Sequence, residues 1–179
     1  MTGRVFAVVG PSGAGKDTLL AGAVAASPSL HWARRTITRP AVAGGEPFEG
    51  VTVEEFEFLS LSGVFALEWP AHGLRYGIGK AEFAGLAKGE DVLFNGSRAA
   101  LAQALALFPD LIVLRISAPS KVLAERLAAR GRETAAEIEA RLARASYDVP
   151  EGLPVIDIAN DATPAVGVAR LLAALQPRG

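Results

Sequence analysis

The sequence predicts an α/β fold, a three-layer sandwich around a mostly parallel central sheet. Short apolar runs alternate with segments of helical periodicity along the 179 residues, which is typical of parallel strands joined by helical crossovers. A glycine-rich turn separates the first apolar run from the first helical segment. The length fits one domain that buries its own core, so we expect a single domain over residues 1–179.

Seven elements are predicted in the first half of the chain, from apolar periodicity and from the glycine and proline residues at their boundaries. The predicted strands are residues 5–9, 30–37, 64–69 and 74–78, and the predicted helices are residues 18–26, 53–61 and 80–88. A connection rich in glycine and proline covers residues 41–50. A tight turn at His72-Gly73 joins the last two strands.

Six elements are predicted in the second half by the same criteria. The strands are residues 92–94, 111–117 and 155–159, and the helices are residues 98–107, 121–147 and 164–175. Gly131 interrupts the long helical segment, and Pro164 stands in the first turn of the last helix, where proline is favoured. These elements continue the alternation that predicts a parallel sheet.

Residues 10–18 read Gly-Pro-Ser-Gly-Ala-Gly-Lys-Asp-Thr and match the spacing G-x-x-x-x-G-K of a phosphate-binding loop between a strand and a helix. The glycines allow backbone N–H groups to turn toward an anion, and the helix N-terminus adds partial positive charge. We therefore predict a P-loop NTPase fold that binds ATP, with Lys16 at the outer phosphates. The predicted ATP contacts in this loop are Gly10, Pro11, Ser12, Gly13, Ala14, Gly15, Lys16, Asp17 and Thr18.

Asp17 stands where the motif normally has a Ser or Thr hydroxyl that binds Mg²⁺. Asn95 follows the predicted strand 92–94, at a position where a carboxylate commonly completes the magnesium site. We therefore hypothesise that the anionic ligand has moved to Asp17, which would hold Mg²⁺ directly or through water. The alternative is that Asp17 only favours the helix N-terminus through the helix dipole.

Arginine side chains are concentrated in two further places. Arg35 and Arg39 lie at the end of the second predicted strand, and ligands of open parallel sheets bind beyond the carboxyl ends of strands. This position predicts contact with a phosphorylated acceptor. Arg126 and Arg130 share a helix face before Gly131, which favours a helical lid for phosphoryl transfer over residues 126–145. A solvated helix face is the alternative.

Composition excludes several other classes of function. The net charge is −1 and cysteine is absent, so we expect no nucleic-acid partner, no anionic membrane surface, no disulfide and no thiolate metal site. His31 and His72 lack the spacing of zinc ligands, and we expect His31 to be structural. The first strand begins at residue 5 and no apolar run could span a membrane, which predicts a cytoplasmic protein.

The assembled motifs resemble the guanylate-kinase-like P-loop kinases, and within them the ribose 1,5-bisphosphate phosphokinases, over nearly the whole chain. The Gly-Lys-Asp ending of the phosphate loop and Asn-Gly-Ser-Arg at 95–98 are the specific matches. Thr-Ile-Thr-Arg-Pro at 36–40, the segments at 44–46 and 71–77, Arg-Gly-Arg-Glu at 130–133 and the run at 137–145 are shared with guanylate kinases. Most of the guanine-reading pattern is absent, although Glu68 is retained.

The resemblance implies an enzyme that phosphorylates ribose 1,5-bisphosphate with ATP and Mg²⁺, forming 5-phosphoribosyl 1-diphosphate in phosphonate catabolism. It implies catalytic roles for Lys16, Arg130 and Arg141, and it places Asn160 in the adenine-side loop. Arg126 is a further expected ATP contact. The resemblance places an acceptor-binding insertion at residues 34–80. The implied acceptor residues are Arg35, Arg39, Glu46, Glu68, His72, Tyr76, Asn95, Ser97 and Arg98.

Two other functions stay open on the sequence. The first is a guanylate or other nucleoside monophosphate kinase, and the second is a non-catalytic guanylate-kinase-like binding module. The expected partner of the enzyme is a small sugar phosphate, and a homodimer is compatible with the sequence. His72, in its tight turn, either contacts the substrate or serves the turn alone.

Overall fold

The computed structural model describes residues 2–11, 13–40, 46–131, 133–143 and 149–177, and of residues 141 and 143 the backbone alone. Within these ranges the chain forms strands β1 Val5–Val9, β2 Leu30–Trp32, β3 Arg35–Ile37, β4 Phe48–Gly50, β5 Phe65–Ala71, β6 Leu74–Gly79, β7 Asp91–Asn95, β8 Ile112–Ser117 and β9 Val155–Ala159. The helices are α1 Lys16–Ala26, α2 Val53–Leu61, α3 Arg98–Leu107, α4 Ser120–Arg130, α5 Ala135–Ala143 and α6 Pro164–Ala174, with a 3₁₀ helix over Lys80–Lys88.

The central sheet is parallel, with strand order β2-β7-β1-β8-β9. Strand β1 lies in its middle and is buried along its whole length, as expected for a strand covered on both faces. Its side chains alternate between two cores: Val5, Ala7 and Val9 pack on one face, and Phe6 and Val8 on the other. The parallel sheet and its crossovers confirm the predicted α/β class.

Different elements cover the two faces of the central sheet. Helices α1 and α6 pack against each other, and the core on their side includes Leu19, Leu20 and Leu171. On the other side α3 contributes Leu101, and the second sheet contributes Trp69 and other apolar side chains. Because strands β1, β7 and β8 end at the same edge, the loops that follow them are brought together there.

The second sheet is mixed, with order β4-β3-β6-β5, and it is built from residues 35–79. The prediction of one strand over residues 30–37 is wrong, because residues 30–32 pair with β7 whereas residues 35–37 pair with β6 and β4. No glycine or proline marks the exchange, so the sequence shows no break between the two strands. The predicted connection 41–50 contains β4 at its end, and residues 41–45 lie outside the described residues.

The long predicted helical segment is divided as expected near Gly131. Helix α4 ends at Arg130, and Gly131 follows in the left-handed region at φ 64°, a conformation that glycine adopts without strain. Helix α5 begins at Ala135, and the remaining predicted turn to residue 147 lies outside the described residues. The segment at 80–88 is a 3₁₀ helix rather than an α-helix. No helix in the described part of the chain is long and apolar enough to cross a membrane.

Candidate active site

The phosphate-binding loop between β1 and α1 has the backbone that its glycines predict. Gly10, Gly13 and Gly15 have φ angles of 151°, 86° and 88°. A Cβ on Gly10 would lie 2.3 Å from the carbonyl oxygen of Ile116, and one on Gly15 would lie 2.4 Å from Nδ2 of Asn160. Only glycine therefore fits at these two points, and the loop forms a cradle of the kind that binds phosphate through backbone N–H groups.

Lys16 begins α1 and folds back over the loop. Its Nζ donates to the carbonyl oxygens of Gly10 at 2.7 Å and Pro11 at 3.1 Å. Burial lowers the pKa of Lys16 to about 8; Arg35 and Arg130 also lower this pKa, whereas the carboxylates of Asp17 and Glu46 raise it. The ammonium group is thus poorly solvated, and anionic phosphates would stabilise its charged form.

Asp17 and Asn95 lie side by side at the mouth of this loop. Nδ2 of Asn95 is 3.2 Å from Oδ1 of Asp17 and 3.4 Å from Oε2 of Glu46. Asn95 is buried at the end of β7, while Asp17 is in the first turn of α1. The two residues that depart from the usual magnesium pattern are therefore in contact, as their positions in the sequence suggested.

Glu46 and Arg35 form a buried ion pair on the acceptor side. Nε of Arg35 donates to Oε1 of Glu46 at 2.6 Å, and Nη2 donates to Oε2. The Arg35 guanidinium lies over the ring of Tyr76 at 4.9 Å, and that ring stacks on Trp69. Both oxygens of Glu46 are thus engaged within the protein, and Nη1 of Arg35 has no partner among the described residues.

Arg126 and Asn160 hold the phosphate-binding loop from outside. Nη1 of Arg126 donates to the carbonyl oxygens of Gly13 and Ala14, both at 3.2 Å, and Nη2 donates to the carbonyl oxygen of Asn160 at 2.9 Å. Nδ2 of Asn160 donates to the carbonyl oxygen of Ala14 at 2.7 Å. The structure thus gives these two predicted nucleotide contacts a role that sequence reasoning missed, which is to fix the loop.

A cleft of about 300 Å³ opens beside this loop. Its walls include Thr18, Ala129, Arg130, Ala162 and Pro164. Sequence reasoning missed the small apolar residues among them, although the segment after β9 follows a strand at the edge where ligands of parallel sheets bind.

Arg130 is the last residue of α4 and is exposed at the rim of the cleft. Its charge reaches Lys16, whose pKa it lowers. The side chain of Arg141, the second predicted catalytic arginine, lies outside the described residues, as does Ser12 of the phosphate loop. Their predicted roles stay predictions.

Three predicted acceptor residues lie on or near the second sheet, and Glu68 and Arg39 have partners of their own. Oε1 of Glu68 accepts a hydrogen bond from Oγ of Ser60 at 2.9 Å. Arg39 is exposed and lies over the ring of Phe48 at 4.5 Å. His72 is exposed at the tip of the β5–β6 hairpin with φ 52°. These contacts leave the predicted acceptor roles open.

Residues 96–98 follow β7 at the edge where the phosphate-binding loop lies. Oγ of Ser97 is buried and has no hydrogen-bond partner among the described residues. Arg98 begins α3 and is exposed. By contrast, Asp91 begins β7 at the opposite edge and pairs with Arg4 at 2.6 Å. The polar groups that could meet an acceptor therefore lie at the carboxyl ends of the strands.

His31 has a structural role, as the sequence suggested. Its Nε2 lies 2.7 Å from Oε2 of Glu82 on the 3₁₀ helix. This contact ties β2 to the segment that precedes β7.

The donor set of the site fits ATP with Mg²⁺. Among the described residues, no three His, Asp or Glu side chains are grouped closely enough to hold a metal ion by themselves. Mg²⁺ is commonly held by one or two carboxylates together with substrate phosphates and water, and Asp17 beside the phosphate cradle supplies such a carboxylate. The glycine loop itself fits a polyphosphate, because its glycines adopt positive φ angles and pack closely on Ile116 and Asn160, as a tight turn of inward-facing backbone N–H groups requires.

No family model matches the sequence, but individual proteins are similar. The chain is 54% identical over 152 residues to ribose 1,5-bisphosphate phosphokinase PhnN of Ruegeria sp.. That alignment covers 84% of this chain and 80% of the relative. It is 48% identical over 177 residues to the bifunctional ribose 1,5-bisphosphokinase-thymidine phosphorylase of Azorhizobium caulinodans. That alignment covers 97% of this chain and 26% of the relative, so the chain spans about a quarter of that longer protein.

Among solved structures, the guanylate kinase of Anaplasma phagocytophilum has a similar fold. The TM-score is 0.63 at 19% sequence identity, and the alignment covers 99% of this chain and 88% of that one. An identity this low is informative about the fold alone. The likeness confirms the prediction of a guanylate-kinase-like P-loop kinase fold.

Proposed function

The chain belongs to the ribose 1,5-bisphosphate phosphokinase family, and we propose that it transfers the γ-phosphoryl group of ATP to the 1-phosphate of ribose 1,5-bisphosphate. The products are 5-phosphoribosyl 1-diphosphate and ADP, and the reaction belongs to phosphonate catabolism. The observation that carries the proposal is 54% identity over four fifths of a relative named for this activity. The cytoplasm, where nucleoside triphosphates are plentiful, is the expected place of the reaction.

The nucleophile in this reaction is an oxygen of the acceptor's own 1-phosphate. A phosphate monoester is largely ionised at neutral pH, since its second pKa is about 6. It therefore needs no general base. The engagement of Glu46 by Arg35 and Asn95 fits this requirement, because that carboxylate stays bound within the protein. Catalysis then depends on position and charge.

We assign the donor side to the phosphate-binding loop. Its backbone N–H groups bind the phosphates, and the ammonium group of Lys16 moves from the carbonyl oxygens of Gly10 and Pro11 to the β- and γ-phosphates. Arg130, and Arg141 from the following helix, bring positive charge onto the transferring group when the lid over residues 126–145 closes. Closure also excludes water, which would otherwise compete as the acceptor.

We assign the acceptor side to the second sheet and to the residues after β7. Nη1 of Arg35 and the exposed guanidinium of Arg39 are available to a phosphate of the sugar. The buried hydroxyl of Ser97 has no hydrogen-bond partner among the described residues. A hydrogen bond to the sugar phosphate would satisfy this hydroxyl. Residues 34–80 therefore form the acceptor-binding insertion in this proposal.

Asp17 is the residue that we assign to Mg²⁺, directly or through water. Asp17 would hold the ion beside the phosphate-binding loop, where Mg²⁺ would supply positive charge to offset that of the phosphates. Asp17→Ala should raise the Mg²⁺ concentration needed for half-maximal activity far more than Asn95→Ala does, because only the first removes an anionic ligand. If Asp17→Ala and the wild type need the same Mg²⁺ concentration for half-maximal activity, the assignment is wrong.

The acceptor is tested by ADP release in a coupled assay, with ribose 1,5-bisphosphate and nucleoside monophosphates compared at equal concentration. We expect the sugar bisphosphate to be the fastest acceptor, and faster turnover of GMP would replace the proposal with a nucleoside monophosphate kinase. Absence of any thermal shift with saturating ATP would instead indicate a non-catalytic binding module. Lys16→Met is the control, since it removes the ammonium group from the same fold.

A further inference from the structure

We propose that Asn95 is a positioning residue that bridges the carboxylates of Asp17 and Glu46 and so ties the phosphate-binding loop to the second sheet. The inference rests on the proposed function in one respect, because it concerns how Asp17 is set within the same ATP site. It assigns Asn95 a contact with two carboxylates of the protein rather than with the acceptor. It also makes Glu46 a second positioning residue.

The geometry determines which atom of the Asn95 amide faces the two acids. Both neighbours are carboxylates, which only accept hydrogen bonds when ionised, so the NH₂ group must face them. The single nitrogen carries two protons and lies 3.2 Å from Asp17 and 3.4 Å from Glu46. One proton can serve each acid. No hydrogen bond to Oδ1 of Asn95 is present within the described residues.

The bridge continues into the second sheet through a set of buried contacts. Glu46 receives two further hydrogen bonds from Arg35, the first residue of β3. Arg35 lies over Tyr76 of β6. The position of the Asp17 carboxylate is thereby linked, through Asn95 and Glu46, to strands that belong to the other sheet.

The charges of this cluster explain why an amide suits position 95. Asp is nearly the same size and shape as Asn but is acceptor-only and negative when ionised. Asp at 95 would put a third carboxylate within about 3.5 Å of two others, where like charges repel and nothing donates between them. Ala at 95 would remove the bridge but add no charge. A bridging role therefore predicts that the isosteric change is the more harmful one, whereas a space-filling role predicts the reverse.

The first experiment compares the melting temperatures of Asn95→Asp and Asn95→Ala at pH 8, without nucleotide or metal. We expect Asn95→Asp to melt about 5 °C below Asn95→Ala, a shift equivalent to one or two unfavourable charge contacts in a chain of this length. Gln176→Glu is the matched control, because it makes the same amide-to-acid change at an exposed position after α6 and should leave the melting temperature near that of the wild type. Asn95→Asp melting at or above Asn95→Ala would overturn the proposal.

The second experiment introduces Asp17→Asn into the wild type and into Asn95→Asp, and compares the two changes in melting temperature. In the wild type this change replaces the charged acceptor of the Asn95 amide with a neutral amide oxygen, so it should not raise the melting temperature. In Asn95→Asp it removes one of three carboxylates and supplies an amide donor, so it should raise the melting temperature and restore folding if the single variant does not fold. Equal shifts in the two backgrounds would contradict the bridge.

A binding measurement separates this inference from the proposed function. Calorimetric titration with ATP in the absence of Mg²⁺ should show about tenfold weaker binding for Asn95→Asp than for Asn95→Ala, because an added carboxylate beside the phosphates repels them. Neither this titration nor the melting experiment involves the acceptor. If GMP proves to be the better acceptor, both results stand; if the order of the two variants is reversed, the bridge fails whatever the acceptor is.

Discussion

Raising the pH from 7 to 9 should weaken the binding of ATP about tenfold, because the ammonium group of Lys16 loses its proton in that range. Burial lowers the pKa of Lys16 to about 8 in the free protein. The phosphates of ATP favour the charged form of the lysine, so they bind best to the protein in which Nζ is protonated.

The magnitude follows from the protonated fraction of Lys16. With a pKa of about 8, roughly nine tenths of the molecules carry the proton at pH 7 and roughly one tenth at pH 9. The apparent dissociation constant should therefore rise about tenfold over two pH units. A lysine with the ordinary pKa of 10.5 would stay almost fully charged at pH 9, and binding would barely change. ATP itself does not titrate above pH 8, because the second pKa of its terminal phosphate is about 6.

The assay is calorimetric titration with ATP and EDTA at pH 7 to 9, in buffers of different ionisation enthalpy. The same reasoning predicts that binding takes up close to one proton at pH 9, since bound phosphates return Lys16 to its charged form. Lys16→Met is the control and should bind weakly, with little pH dependence between 8 and 9. A dissociation constant that is unchanged between pH 7 and 9, with no proton uptake, would refute the account of the buried lysine.

Two further substitutions test how the loop is held. Gly15→Ala should be the more destabilised of two glycine variants and should lose ATP binding in calorimetric titration, because its Cβ would lie 2.4 Å from Nδ2 of Asn160. Gly73→Ala should cost only about 1 kcal/mol, since that site has a similar φ of 71° but open space. Equal unfolding curves for the two variants would contradict the argument. Arg126→Ala should lower the free energy of unfolding by about 3 kcal/mol, because three hydrogen bonds to the loop and to Asn160 are lost. Arg170 is exposed, so Arg170→Ala should lower the free energy of unfolding by less than about 1 kcal/mol. Urea unfolding measures both, and an equal loss for the two arginines would show that Arg126 does not hold the loop.

The central part of the fold could be predicted because its physical signals are local. Strand β1 is a short β-branched run buried on both faces, and the glycines of the next turn require left-handed φ angles that few other residues adopt. Gly131 divides the lid helices for the same reason. These features depend on a few neighbouring residues, so the sequence pattern was sufficient to place them.

The exchange between sheets could not be predicted in the same way. Residues 30–37 contain no turn-forming glycine or proline and were predicted as one strand, yet the first three pair with β7 and the last three with β6. The choice between these partners depends on strands that lie 39 to 61 residues further along the chain (Ile37 to Tyr76, Leu30 to Asp91), which periodicity does not report. The 3₁₀ geometry of residues 80–88 was missed because α and 3₁₀ helices share much of the same residue preference.

Part of the site was likewise open to prediction and part was not. The sequence placed Lys16, Asp17 and Asn95 at one edge of the sheet, because loops after parallel strands meet there. The pairing of Arg35 with Glu46 could not be read from the chain, since a charged residue at a strand end can face a ligand or another side chain equally well. The resemblance named both residues as acceptor contacts, and the structure adds that they bind each other.

The measurement that tests the central claim most directly is ³¹P NMR of the product formed from ATP and ribose 1,5-bisphosphate. The account predicts two coupled diphosphate resonances on the sugar, together with the signals of ADP and an unchanged 5-phosphate monoester. Lys16→Met should show neither ADP nor the diphosphate above background. Formation of ADP and free phosphate without a sugar diphosphate, or a diphosphate formed on GMP but not on the sugar, would contradict it.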